Sequence, residues 1–318
     1  MTRPSRKLIT AEAFPTPALI LRTNDPIGQR RVREFARKQT QAALLLHQAI
    51  TDGLRAAGDV NDRVAVFTTA FEAAENWRYR IAVSSPFPSG RYAAGHAERF
   101  RTPITDDNPN LFRVGEHERL RENAVWDPAT RTYIGGEETP ASRTMRQIGA
   151  LAAARFARSP GVDVVNNQVT LPDGRVVGGM RLLRGRAAHH AATEMIARIA
   201  AQCGDTSRII ADGDLIYAAS ALETDRTTTF HGAMTLLAQD HASRAAALAA
   251  WLAAAYLLYQ APRTKRGSDA INRTFLIAAG TRLLGHTPVL LHDIDLRAIV
   301  QPMDQFLAEL RSAQATPT

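Results

Sequence analysis

The residues best suited to chemistry lie in one short basic turn between two apolar segments of the C-terminal third. Arginine forks and a lysine ammonium bind phosphate or carboxylate, and a glycine lets the backbone come close to such a ligand. Free N–H groups at the start of a following helix would add the positive end of its macrodipole. The turn therefore predicts a phosphate-binding or carboxylate-binding site. Its candidate residues are Arg263, Lys265, Arg266, Gly267, Ser268, Asn272 and Arg273.

Two helices are expected to hold this turn. Apolar residues recur at steps of three and four before it, which predicts a helix that ends near Gln260 and is stopped by Pro262. A second helix should begin at Ser268 or Asp269, because either side chain can cap free N–H groups. Gly285 is a typical residue for the C-terminal end of that helix. An ordinary helix corner with a solvated basic loop is the alternative interpretation.

Composition limits the class of protein. The chain has 318 residues, 45% of them hydrophobic, and a single cysteine, Cys203. This length predicts two lobes, or one lobe with a large extension, and a single cysteine excludes an internal disulfide. The sequence shows neither a bilayer-spanning apolar run nor a secretory signal. We therefore expect a cytoplasmic protein without a membrane partner, or one delivered into a target cell.

The net charge of +8 indicates an acidic partner, and its distribution is uneven. Residues 1–40 carry nine Lys/Arg against three Asp/Glu, most densely at Arg30, Arg31 and Arg33. A basic helix that touches nucleic acid or another acidic surface is one interpretation, and a solvated helix face is the other. Because surface aromatic residues do not alternate with these charges, a platform for stacking bases is not favoured.

The pattern along the chain predicts three regions. Residues 1–26 are rich in proline and threonine and should be extended. Residues 27–160 should form a helical N-terminal region, with helices over 27–57, 61–82 and 141–158 and a loop-rich insertion at 84–140. Two acids on the second of these helices, Glu72 and Glu75, are expected at the surface. Residues 161–318 should form a helical core with small hairpins.

Hairpins and helices alternate in the third region. Asn166-Asn167 and Asp173-Gly174 are turn signals between β-branched runs, and a further strand–turn–strand unit is expected over Ile209–Tyr217. Helices are expected over 186–202, 230–242 and 296–310. Asp295 should cap the last of them, and Pro302 should kink or split it.

The order of elements over roughly 205–310 resembles the core of Fic (Fido-fold) proteins. The family loop reads His-x-Phe-x-Asp/Glu-Gly-Asn-Gly-Arg-x-x-Arg. Asp269 and Arg273 keep its acid-to-arginine spacing, but Ala270-Ile271-Asn272 replaces Gly-Asn-Gly. If the family histidine is located by its spacing from the acid, its position here is occupied by Lys265. If it is located by its place at the end of the preceding helix, the position is occupied by Gln260.

The resemblance implies a mainly α protein with a Fido-like helical core and a small β-hairpin flap. It also implies transfer of a nucleotidyl, phosphoryl or glycosyl group from a nucleotide donor to a protein or small acceptor, with Mg²⁺ as an optional cofactor. The flap that docks a protein target would be Ile209–Tyr217, and Asp269 would be a catalytic residue at the position of the family acid, which holds a metal. Because the histidine is absent, His231 or Asp225 is the candidate base. The sequence shows no set of protein metal ligands.

The leading hypothesis is therefore a Fido-like transferase, acting as a toxin or effector. The first alternative is a catalytically inactive Fido-like module that binds an acidic or phosphorylated partner through the same turn. The second alternative is a nucleic-acid-binding protein that uses the basic N-terminal helix.

Overall fold

Helices make up most of the chain, as the sequence predicts. The computed structural model describes residues 8–14, 19, 21–85, 97–203, 206–210 and 213–315. The helices are Pro26–Ala56 (α1), Val60–Val83 (α2), Pro140–Ala157 (α3), Gly185–Cys203 (α4), Glu223–Ala238 (α5), Arg244–Gln260 (α6), Ser268–Leu284 (α7), Ile294–Val300 (α8) and Met303–Ala315 (α9).

A four-stranded antiparallel sheet and a separate two-stranded pair accompany the helices in the described residues. The strands are Leu111–Val114 (β1), Val125–Asp127 (β2), Thr132–Ile134 (β3), Val164–Thr170 (β4), Val176–Leu183 (β5) and Ile216–Ala219 (β6). The sheet has the order β1-β6-β5-β4, and β2 and β3 form a separate pair. The fold class predicted from the sequence, mainly α with a small hairpin, is confirmed.

One of the predicted hairpin turns is confirmed and one is wrong. The β4–β5 hairpin turns at Asp173-Gly174, where Gly174 has a φ of 84°. Asn166-Asn167 instead lies inside β4. Asn167 is 1% exposed, and its amide donates to the carbonyls of Ala298 and Ile299, both at 3.0 Å. These carbonyls belong to the last turn of α8, so the asparagine satisfies free helix acceptors rather than forming a turn.

The strand–turn–strand unit predicted over Ile209–Tyr217 is also wrong. Ile209 and Ile210 are not in a strand, and residues 211–212 lie outside the described part of the chain. β6 lies between β1 and β5 and pairs with both, in registers that include Leu111 with Ala219. The apolar run of β6 is therefore a buried central strand whose partners are distant in sequence.

Two helix boundaries differ from prediction. The helix predicted over 230–242 begins at Glu223, whose N–H donates to the Asp106 carboxylate at 2.9 Å. Its first two turns are polar, so the apolar period marks only its second half. The predicted helix over 296–310 is split into α8 and α9 around Pro302, as expected. Its N-cap is Asp293 rather than Asp295.

The centre of the fold is the helix pair α6 and α7. Trp251 and Phe275 are fully buried there, and the Trp251 indole N–H donates to the Leu276 carbonyl at 2.9 Å. Phe67 and Phe71 of α2 pack edge-on against Phe275. Helices that are apolar on all sides are typical of a buried position. Since both central helices are covered along most of their length, their polar residues reach the surface mainly at the two ends.

Candidate functional site

The predicted basic turn joins α6 to α7 at one end of this buried pair. Gly267 is the N-cap residue of α7, with a φ of 90° and no side-chain cap bond. A β-carbon there would lie 2.7 Å from the Phe100 ring, so a larger residue would not fit. The Ser268 hydroxyl donates to the Thr264 carbonyl at 3.4 Å. The prediction that Ser268 or Asp269 caps α7 is therefore wrong. The N–H groups of the first turn have no side-chain cap among the described residues.

Backbone hydrogen bonds fix the shape of the turn against residues 102–104. The Ile104 N–H donates to the Arg263 carbonyl, and the Lys265 N–H donates to the Thr102 carbonyl, both at 3.0 Å. The buried Arg226 guanidinium donates to the Ile104 carbonyl at 2.8 Å and to the Pro262 carbonyl at 3.2 Å. These bonds hold the turn in place before any ligand binds.

Three more of the predicted anion-binding residues, besides Ser268, donate to the protein itself. Arg273 is 1% exposed, and its guanidinium donates to the Asp269 carboxylate at 2.8 Å. Asn272 is 2% exposed and donates to the Leu258 carbonyl at 3.3 Å. The Lys265 ammonium donates to the carbonyls of Asn108 and Pro109. Burial and nearby arginine charges lower the pKa of Lys265 to about 8.

Arg78 and Arg266 lie at the start of α7, and the charges of Arg22 and Arg99 act on Arg266. We call these four residues the arginine cluster. The stem of Arg78 lies against Gly267, and its guanidinium lies 4.1 Å from the Phe100 ring centroid. Burial, followed by the Arg266 charge, lowers the pKa of Arg78 to about 10. Burial, followed by the charges of Arg99 and Arg22, likewise lowers the pKa of Arg266. The cluster is therefore a local concentration of positive charge.

Arg78 also carries a buried donor with no acceptor. Its Nε atom is buried and has no hydrogen-bond partner within the described ranges. Buried donors without partners are uncommon, because the cost of removing such a group from water is not recovered. An anion at the start of α7 would supply a countercharge to Arg78.

A cavity of about 350 Å³ lies beside the turn, between it and α2. Glu75 lines this cavity with its carboxylate 3.3 Å from the Arg263 guanidinium, and its side chain is 17% exposed. Burial raises the pKa of Glu75, while the Arg263 charge opposes that rise. The sequence analysis placed this residue at the surface. Its spacing of four residues from the buried Phe71 was the signal that could have indicated burial.

The predicted catalytic residues are dispersed. His231 is exposed in the middle of α5, and no hydrogen bond or ion pair among the described residues joins it to the turn. Asp225 lies against β5, where a β-carbon on Gly178 would be 2.8 Å from its carboxylate. Asp269 is at the turn, where its carboxylate accepts from Tyr259 at 3.1 Å. Of these three acid–base candidates, the structure places only Asp269 at the turn.

Gln260, one of the two candidates for the family histidine position, is fully buried. Its amide donates to the Ala298 carbonyl and accepts from the Met180 N–H at 2.8 Å and from the Asn167 amide at 3.2 Å. These bonds tie α6 to the hairpin and to α8. The Gln260 side chain therefore stabilises the packing of these elements and has a structural role.

Asp295 completes a buried charged network with Tyr259, Asp269 and Arg273. Its Oδ1 atom is buried and has no hydrogen-bond partner in the described part of the chain. Burial, followed by the neighbouring charge of Asp269, raises the pKa of Asp295, and Arg273 opposes the rise. Burial also raises the pKa of Tyr259. This network lies behind the turn and connects α6, α7 and α8.

The described residues contain neither a cluster of metal ligands nor a membrane-spanning helix. No group of three or more His, Cys, Asp or Glu residues in those ranges could hold a metal ion. No helix in them is long and apolar enough to cross a membrane.

Comparison with known proteins gives no family assignment. No protein-family model matches the chain, and no curated protein is similar to it. The resemblance to Fic proteins therefore stays a prediction.

Proposed function

We propose that the protein binds a phosphate-bearing ligand at the start of α7, through the arginine cluster and the free N–H groups of the helix. The observation that carries the proposal is the position of Arg78 against Gly267, beside Arg266, at a helix start without a side-chain cap. This function corresponds to the first alternative from the sequence, a module that binds an acidic or phosphorylated partner.

The chemistry of phosphate suits this arrangement. A phosphate group carries about −1.5 to −2 charge at pH 7 and presents several strong acceptor oxygens. Arginine binds it through two parallel N–H bonds, and a helix N-terminus adds backbone donors. Burial, followed by the charges of Arg99 and Arg22, lowers the pKa of Arg266, and a bound phosphate would offset those charges.

The engaged residues favour binding over transfer by the family mechanism. Arg273 and Asn272 are buried and bonded to the protein, and the Lys265 ammonium donates to two carbonyls. Gln260 is enclosed by the hairpin and α8. Neither candidate for the histidine position is therefore placed to accept a proton from a substrate hydroxyl.

Group transfer is the second candidate, and Glu75 is the observation that favours it. A half-buried carboxyl with a raised pKa beside an anion-binding turn suits a general base. Glu75 would take the proton of an acceptor hydroxyl, whose oxygen would bond to the phosphorus of a nucleotide donor while the bond to the donor's leaving phosphate breaks. The arginine cluster would hold the phosphates, with Mg²⁺ as the predicted cofactor.

Calorimetric titration with pyrophosphate tests the binding proposal. We expect saturable binding to the wild-type protein and at least about a tenfold weaker affinity in Arg266→Gln, because each charge-assisted bond contributes about 1.5–3 kcal/mol. Arg186→Gln is the matched control, since that side chain is fully exposed. Equal affinity in the wild-type and Arg266→Gln proteins would refute the proposal.

The same variants separate binding from transfer. If the protein is a transferase, mass spectrometry of a cell lysate incubated with it and ATP–Mg²⁺ will show a phosphate-linked adduct on a target. Glu75→Gln should then abolish the adduct while leaving the affinity for pyrophosphate unchanged. An adduct that persists in Glu75→Gln would exclude Glu75 as the base.

A further inference from the structure

A second cavity lies at the opposite end of α6 and α7 from the basic turn. It has a volume of about 590 Å³, in the range of small-molecule sites. Its walls come from the ends of α1, α5 and α7 and from the starts of α2 and α6. No residue of the turn or of the arginine cluster lines it, so it is a separate candidate site.

Positive charge predominates in this cavity. Arg63, Arg244 and Arg282 line it, and Asp240 is the one acid among its lining residues. Both terminal nitrogens of Arg63 donate to the Asp240 carboxylate at 3.0 Å. Arg244 contacts a ring nitrogen of His286, which gives it no countercharge. Arg244 and Arg282 therefore have no carboxylate partner among the described residues.

Two buried nitrogens at the cavity have no hydrogen-bond partner. They are Nε of Arg63 and Nε2 of His241, and both residues line the cavity. The Arg63 Nε–H is always a donor, and His241 can donate from Nε2 in one of its neutral tautomers. Both atoms are shielded from solvent by the protein, so the ligand is inferred from the exposed arginines instead. Arg244 and Arg282 line the cavity without a carboxylate partner in the described part of the chain, which indicates a ligand with anionic oxygens.

The opposite wall of the cavity is apolar. Leu237, Ala247 and Leu284 are buried residues that line it, and Leu54 lies beside them. A ligand that fills the volume must therefore combine an anionic group with an apolar body. Phosphate fits the polar side better than carboxylate does, because its terminal oxygens can accept from several donors at once and its second charge matches two guanidinium groups.

We propose that this cavity binds a small phosphomonoester with an apolar body, held at its phosphate by Arg244 and Arg282. The leucines of α1, α5 and α7 cover the apolar part, and the His241 ring, which lines the same cavity, reports on binding.

Titration with phenyl phosphate, followed by calorimetry and by the NMR signals of the histidine rings, tests the proposal. The His241 ring signals, assigned by comparison with His241→Gln, should shift with a saturable dependence on ligand concentration. Arg244→Gln and Arg282→Gln should each weaken binding by about tenfold or more. Inorganic phosphate should bind more weakly than phenyl phosphate because it lacks the apolar body, and phenol should not bind because it lacks the anion.

Controls separate this site from the one at the turn. Both substituted arginines are exposed, so their replacement should not unfold the protein. Arg266→Gln, at the other end of the helices, should leave the His241 shift and its dependence on phenyl phosphate concentration unchanged. The proposal is overturned if phenyl phosphate does not move the His241 signals of the wild-type protein, or if that shift survives in the Arg244→Gln, Arg282→Gln double variant.

Discussion

Replacing Arg273 with methionine should destabilise the fold by about 3–5 kcal/mol, the usual range for removing one partner of a buried ion pair. The guanidinium donates to Asp269 on its own helix and to the carbonyls of Leu291 at 2.9 Å and His292 at 2.6 Å. Both carbonyls lie in the segment that leads from α7 to α8. The hydrogen bonds of Arg273 thus hold that segment against α7.

The magnitude follows from the groups that lose a partner. Each carbonyl left without a donor costs about 1–3 kcal/mol where water cannot replace it. The Asp269 carboxylate loses its cation, and the buried Asp295 loses the charge that opposes the rise of its pKa. Methionine fills much of the space of the arginine stem, so a cavity should contribute little. The losses of hydrogen bonds and charge therefore account for the expected 3–5 kcal/mol.

Urea unfolding monitored by circular dichroism measures this effect. The urea concentration at the midpoint should fall. The dependence of the unfolding free energy on urea concentration should stay unchanged, because the surface exposed on unfolding is the same. Arg282→Met is the matched control on the same helix, and its exposed position should limit the change to about 0.5 kcal/mol. A loss below about 1 kcal/mol in Arg273→Met, combined with loss of pyrophosphate binding, would refute the structural role and make Arg273 a ligand-binding residue.

Two further predictions concern the residues near the turn. Burial, followed by a neighbouring carboxylate, raises the pKa of Asp295, so the folded protein holds this proton more tightly than the unfolded chain. The stabilisation from this proton is present at low pH and is lost as the pH rises from the ordinary pKa of 3.8 through the raised pKa. Asp295→Asn should remove this loss, so the free energy of unfolding of the variant, measured by denaturation, should decline less across that interval. A wild-type decline no steeper than that of the variant would contradict it. Gly267→Ala should cost about 1–3 kcal/mol, since its φ of 90° is strained for alanine and the β-carbon would meet the Phe100 ring at 2.7 Å. Gly285→Ala, with a φ of 72° and open space around it, measures the strain alone, and equal losses of thermal stability would show that the ring contact is unimportant.

The sequence predicted the position of the turn well, because local rules determine it. Apolar periodicity gave the two central helices, and Gly285 ends α7 in the left-handed conformation, as expected. The β4–β5 turn and the break at Pro302 are confirmed for the same reason. Glycine and proline act through the backbone of their own few residues, so their effect can be read without knowing the rest of the fold.

The direction in which each charged side chain points could not be predicted in the same way. Arg273 donates to carbonyls 18 and 19 residues away, whereas Arg266 lies in the arginine cluster. In the sequence both are arginines of one basic turn. Glu75 is similar, because its ion-pair partner Arg263 lies in a different part of the chain. The pairing of β6 with β1 is equally non-local, which is why its strand was assigned to the wrong hairpin.

The placement of both proposed sites follows from the burial of α6 and α7. Helices that are covered by apolar neighbours can present charged groups to solvent only where they begin and end, and charges left in the middle must be paired, as Arg273 is. Each of these helices has 17 residues, so the arginine cluster and the second cavity lie about 25 Å apart along the helix axis. Direct electrostatic interaction over that distance is screened in physiological salt. Binding of pyrophosphate at the turn and of phenyl phosphate at the other end should therefore be independent, unless the helix pair itself shifts. A change in one affinity on saturation with the other ligand would show that α6 and α7 move as a unit between two arrangements.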